Sequence, residues 1–279
     1  MRKLWMALAG ALVIAIAASG VAYAINQYSV DVGKTSTTAK GSPNRPVPTS
    51  YKFGFSVKDS EGLRPAVVRS YRIAAEGLKA FPKARPRCTF EQATAPVGSP
   101  SQLAPACRKA FVGSGTIHNQ AGATNNRTVS VTCDVKITLI NISTGDPRPP
   151  STVKQVKNHG GLAVRIDQYQ KDGQDDPARC PPINLHEALA APFYDVRIDT
   201  VRSTELRFRV PETLAHPSGL DNSVREVVST IAKKTGRARV NGVRRTVGYW
   251  SAIGRKGKTR TTRVTWVDED GHKATDTKG

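Results

Sequence analysis

From Val129 to Leu139 the chain alternates apolar and polar residues without a break. Val129, Val131, Cys133, Val135, Ile137 and Leu139 share one parity, and Ser130, Thr132, Asp134, Lys136 and Thr138 share the other. Successive side chains of a strand leave opposite faces of the sheet, so this pattern specifies a strand with one face in a core and one in water. A helix would scatter the same residues around its axis. The run also places Cys133 on the inward face, so its partner must be buried or reach inward.

Similar signals recur along the chain. Tyr51-Lys-Phe-Gly-Phe-Ser-Val57 alternates, Asp59-Ser-Glu-Gly62 supplies a turn, and Arg64–Ile73 is expected to return as the partner strand of an opening hairpin. Gly113–Ile117, a polar turn around Gly122–Asn126, and the 128–140 run form a second hairpin. Further strand-like runs are 161–167, 194–199, 205–210, 247–250 and 261–267. Short strands separated by Gly, Pro and Asp turns predict a mainly β chain, an antiparallel sandwich-like domain with at most one or two short helices. A parallel sheet needs long crossover helices, and no segment reads as one. Two segments allow helix. Asn184–Ala190 would make two turns before Pro192; Val224, Val227, Val228 and Ile231 follow i, i+3, i+4, i+7 behind an Asn222 or Ser223 cap, although their β-branching equally allows a strand.

Arg2 and Lys3, the apolar stretch Leu4–Ala18 and Ala22-Tyr23-Ala24 have the form of a signal peptide over residues 1–24, with an uncleaved anchor as the alternative. Residues 25–50, rich in Gly, Pro, Ser and Thr, read as a flexible linker. Residues 51–279 form the β domain, in one piece or two packed halves. Cleavage would remove Arg2 and Lys3 from the 42 basic residues and leave 40 against 22 acidic, a net charge of +18. Outside a membrane such a charge attracts anionic wall polymer or polysaccharide. The excess is densest after Lys233. There Arg244, Arg245, Arg255, Lys256, Lys258, Arg260 and Arg263 lie among Tyr249, Trp250 and Trp266, the mixture of cations and flat rings a polyanion-binding hairpin uses; core-facing tryptophans are the simpler alternative.

Cys88, Cys107, Cys133 and Cys180 are even in number in a chain that reads as exported, which favours two disulfides. Cys88 with Cys107 and Cys133 with Cys180 is the expected pairing, because the first two flank a loop-like stretch rich in Ala, Pro, Gly and Ser. Their spacing does not suggest zinc. Catalytic patterns are weak. Ser151-Thr-Val-Lys154 and Lys234-Thr235-Gly236 match two elements of penicillin-binding sites, but no apolar helical face follows the serine. His186-Glu187 begins like a zincin helix, yet position 190 is Ala. Asp167, Asp172, Asp175 and Asp176 surround Gly173 without the order of a calcium loop, so a solvated turn is expected.

The Phe-x-Phe strand, the Asp-x-x-Gly turn leading to Arg64-Pro-Ala66, Cys88, and Cys107 followed by Gly113-Ser-Gly resemble a group of uncharacterised exported β-rich proteins of actinobacteria. The likeness covers most of residues 51–271. It implies that the first two cysteines share one loop, in agreement with the pairing above, and it assigns no catalytic residue. A cysteine pair frequent in that group's C-terminal hairpin is missing here. The expectation is therefore an exported, non-enzymatic, envelope-associated or secreted β domain. Its partner is expected to be an anionic cell-envelope polymer or polysaccharide, with no cofactor, metal or specific nucleic acid, and with membrane contact only through an uncleaved signal segment. The alternative is a secreted hydrolase acting on wall or polysaccharide substrate.

Overall fold

A computed structural model describes residues 27–29, 39–59, 61–95, 103–143, 160–171, 174–180, 185–254 and 260–278. The signal segment lies outside them. The strands are β1 (Gln27–Ser29), β2 (Val47–Thr49), β3 (Tyr51–Lys58), β4 (Val68–Ala75), β5 (Leu78–Ala80), β6 (Phe111–Gly122), β7 (Val131–Ile142), β8 (Gly161–Gln168), β9 (Gln170–Lys171) and β10 (Gln174–Asp175). They continue as β11 (Glu187–Ile198), β12 (Val201–Arg209), β13 (Asp221–Ile231), β14 (Thr235–Val240), β15 (Val243–Gly248), β16 (Trp250–Ala252), β17 (Thr262–Asp268) and β18 (Lys273–Lys278). Helix is confined, among the described residues, to α1 (Phe90–Thr94), α2 (Glu212–Ala215) and three short 3-10 turns. The expected antiparallel, mainly β class is what the chain adopts.

Eleven strands run in the order β1-β3-β13-β6-β7-β8-β11-β12-β4-β17-β18, and the first and last lie against each other. The bend that folds this ribbon over is in β11. Glu187–Pro192 pairs with β8, whereas Phe193–Ile198 pairs with β12, so Pro192 stands where the strand changes partners. A residue without an N–H is tolerated at such a hand-over and not in the middle of a ladder. This overturns the helix expected at 184–190: Leu189, Ala191 and Phe193 are buried at period two.

The opening hairpin is also corrected. β3 pairs with β1 and β13, and β4 with β12 and β17, so the turn after Asp59 carries the chain from one sheet to the other. The aromatic rings then meet across the interior: Phe55 lies 5.5 Å from Tyr71 in a tilted contact and 5.7 Å from Trp266 edge to face, centroid to centroid. Residues 224–231 are strand. A bulge between Val224 and Glu226 resets the parity, so Val224 and Val227 both face inward at a spacing of three, which imitates a helix in the sequence. The β6–β7 hairpin forms as expected.

A small sheet, β2-β16-β5, closes one end of the interior, where Trp250 packs 5.4 Å from Tyr51 and 6.0 Å from Phe193. Part of the expected linker belongs to the fold. β2 pairs with β16, Thr49 is buried, and a Cβ on Gly41 would lie 1.8 Å from the carbonyl oxygen of Ala252.

Cys133 is bonded to Cys180 and Cys88 to Cys107, the expected pairing. Cys133 and Cys180 are both buried in the main core, whereas Cys88 and Cys107 join Ala93, Ala110, Ile140, Ile142 and Ala163 in a second cluster. That cluster covers the outer face of β7 and β8, which explains why the alternation of β7 ends in a fully buried Ile140–Ile142. Two disulfides fit an oxidising compartment. No helix among the described residues is long and apolar enough to cross a membrane.

Candidate functional site

The inward residues of β3, β4, β6, β7, β8, β11, β12 and β13 do not fill the space between the sheets. They leave a partly open cavity of about 80 Å³. Its lining runs along β13 from Asn222 to Ser229, so the space is long and narrow for its volume. Ile117, Phe208, Val210 and Val224 point into it yet are only half-buried, so apolar wall is in contact with solvent. Leu214 of α2 lines this end. None of the described lining residues carries a charge, and none is a carboxylic acid, imidazole, thiol or amine.

Besides the phenol of Tyr71 on β4, three polar residues interrupt the apolar wall: Asn119 on β6, and Asn222 and Ser229 on β13. The Oδ1 atoms of Asn119 and Asn222 and the Oγ of Ser229 are buried and meet no hydrogen-bond partner. Asn222 Nδ2 donates to Leu214 O at 2.8 Å, which orients its amide and ties α2 to the strand. In register Asn119 faces Val224, and Asn222 faces Ala121, so the two asparagines are diagonal neighbours on one face. Sequence reasoning missed them. Asn222 was read only as a helix cap, and the period-two signal of β6 is diluted by Gly113, Gly115 and Gly122.

Among the described residues, the cations expected to bind polyanion are divided between separate parts of the fold. Arg244 and Arg245 lie on β15; Arg255, Lys256 and Lys258 fall outside the described residues. Arg263 is on β17, 3.7 Å from the Glu205 carboxylate, and belongs to a different sheet. Arg260 is a correction: it is 1% exposed, and its guanidinium donates to Glu76 O, Ala39 O and Gly254 O, each at 2.9 Å. A cation so enclosed reaches no polymer. Trp250 and Trp266 are both buried in the core, so no stacking platform stands beside the charges.

Arg237 and Arg239 of β14 complete instead what Arg244 begins. The Asn241-Gly242 turn, with φ of 49° and 81°, fixes the hairpin register and sets Arg239 directly opposite Arg244, with Arg237 two residues along the same face. All three are exposed, and no carboxylate among the described residues pairs with them. The Asn-Gly pair was the signal that would have revealed this arrangement. Lys234-Thr235-Gly236 has a structural role: a Cβ on Gly236 would lie 1.7 Å from Ala84 O, where the hairpin rests on the turn Pro82–Ala84. Ser151–Lys154 lies outside the described residues.

Two further polar clusters tie segments of the fold together. His216 accepts no free role: its Nδ1 is 3.0 Å from Asp221 and its Nε2 is 2.7 Å from Glu269, with Glu212 at 3.7 Å. Burial is the largest single influence on His216 and lowers its pKa; the hydrogen bond to Glu269 and the charges of Glu269, Asp221 and Glu212 together outweigh it and raise the pKa. When protonated, the imidazole donates from both ring nitrogens, to Asp221 and to Glu269. His186 directly precedes β11 rather than starting a helix and faces Asp167 at 3.4 Å; Arg165 pairs with that carboxylate at 3.0 Å, so Asp167 is buried in an ion pair and not in the solvated turn expected. No known family, curated protein or solved structure matches the chain, so its chemistry rests on these residues alone.

Proposed function

We propose that this chain is an exported, non-enzymatic binding protein that holds an apolar ligand between its two sheets. The supporting observation is the ring of inward but half-exposed side chains, Ile117, Phe208, Val210 and Val224, around the mouth of an uncharged cavity. Apolar area left in water costs roughly 25 cal/mol per Å², so a ligand that covers these walls is bound by the same force that folds the sheet. The test is uptake of a neutral environment-sensitive dye such as Nile red by the purified, oxidised protein. Stoichiometric binding with a blue-shifted emission is expected, and Val224→Arg should abolish it without changing the far-UV circular dichroism. A parent protein that leaves the dye unbound refutes the reading.

A second partner, an anionic envelope polymer or polysaccharide, is favoured by the arginine ribbon. Like charges directly opposite across two strands oppose folding, and a polyanion relieves that repulsion. Replacing Arg237, Arg239 and Arg244 with Gln should weaken retention on isolated cell walls and flatten its salt dependence, since fewer counterions are released. Unchanged retention at every salt concentration would leave the ribbon as a solvated edge.

A further inference from the structure

Resting on the apolar-ligand reading, we infer that the cavity selects a neutral, elongated, lipid-like molecule bearing a hydroxyl or amide N–H at one end, recognised by Asn119 and Asn222. A buried polar atom without a partner costs the free energy of its lost hydration, and native chains keep few of them. Here Asn119, Asn222 and Ser229 bring three such atoms to one largely apolar cavity. Two of the three are amide oxygens on adjacent strands at the α2 end, where Asn119 is 6% exposed and makes no competing hydrogen bond, and where Asn222 is oriented by its own donation to Leu214 O.

An amide oxygen accepts and does not donate. It therefore asks for a donor, which a hydroxyl or an N–H supplies and an ether, an ester or an ionised carboxylate does not. The uncharged lining acts in the same direction, because a carboxylate brought into it would lose its hydration with no cation to replace the water. Ser229 lies seven positions from Asn222 along β13, on the order of 20 Å at strand rise. Its hydroxyl both donates and accepts, so it discriminates less than the asparagines. The narrow space between these points suits a single chain better than a fused ring system.

Three probes of one chain length test this: n-decanol, its methyl ether and decanoate, each titrated against Nile red bound to the full oxidised protein at a pH where decanoate is ionised. Decanol should displace the dye about tenfold more tightly than the ether, the value of one hydrogen bond that also relieves an unpaired buried oxygen. Decanoate should bind more weakly than decanol. Asn119→Leu should bring decanol to the level of the ether and leave the ether no weaker. Equal binding of decanol and ether by the parent overturns the donor inference while the cavity stands. Tightest binding by decanoate overturns the neutral class. A protein that takes up the dye but releases it to none of the three probes overturns the chain-like ligand, and one that never takes up the dye overturns the underlying reading.

Discussion

Replacing Arg260 with Gln should be among the more damaging single changes in this chain, although in the sequence it stands in a run of cations. The guanidinium donates three hydrogen bonds of 2.9 Å to backbone carbonyls of Ala39, Glu76 and Gly254, which belong to the strand-poor segment before β2, the end of β4 and the end of β16. A glutamine amide reaches one of them at best. Two hydrogen bonds to a charged donor are worth about 1.5–3 kcal/mol each, and the abandoned carbonyls stay buried, so a loss of about 3–5 kcal/mol is expected. That is a large share of the 5–15 kcal/mol that typically separates folded from unfolded states. Urea unfolding followed by tryptophan emission reports it directly, because Trp250 and Trp266 are both buried. Arg260→Lys should lose most of the same stability, since one ammonium on a shorter fork cannot span three carbonyls. Arg244→Gln, at an exposed position, should stay within about 0.5 kcal/mol of the parent. If Arg260→Gln unfolds within about 1 kcal/mol of the parent, the guanidinium does not fasten these segments and the reasoning fails.

Other outcomes follow from the same packing. The raised pKa of His216 means that its contribution to stability is complete below its ordinary value of about 6.5 and is lost as pH rises through the higher native value. Urea midpoints should therefore fall across that window in the parent and not in His216→Gln. The Cys133–Cys180 bridge spans 47 residues and Cys88–Cys107 spans 19, so replacing each pair by Ser should cost about 4 and about 3 kcal/mol respectively in the chain-entropy description. The opposite ranking in thermal unfolding would contradict it. Gly236→Ala should lift the arginine hairpin from the Pro82–Ala84 turn at a cost of about 1–3 kcal/mol, read as faster proteolysis at Arg237 and Arg239. A variant as resistant as the parent would show that the turn yields.

Local pattern carried a great deal of this protein. The alternation from Val131 to Leu139 determined a strand, its buried face and the inward position of Cys133, because side-chain parity is a property of the strand alone. The even count of cysteines predicted two disulfides, and the loop-like composition between Cys88 and Cys107 pointed to the pairing that forms. Where local pattern misled, the cause was a tertiary event written in few residues. One bulged residue at Arg225 turned a period of two into a spacing of three, and Pro192, an apparent helix end, proved to be the corner at which a strand changes sheets. The charge run after Lys233 shows the division most plainly. Composition makes that region cationic, but only the fold decides that Arg260 is sealed under three carbonyls while Arg239 and Arg244 confront each other in water. The cavity belongs wholly to the fold. Its walls come from eight strands scattered between residues 53 and 229, and the unpaired polar atoms of Asn119, Asn222 and Ser229 acquire meaning only when the sheet closes over them and removes the water that would otherwise have been their partner.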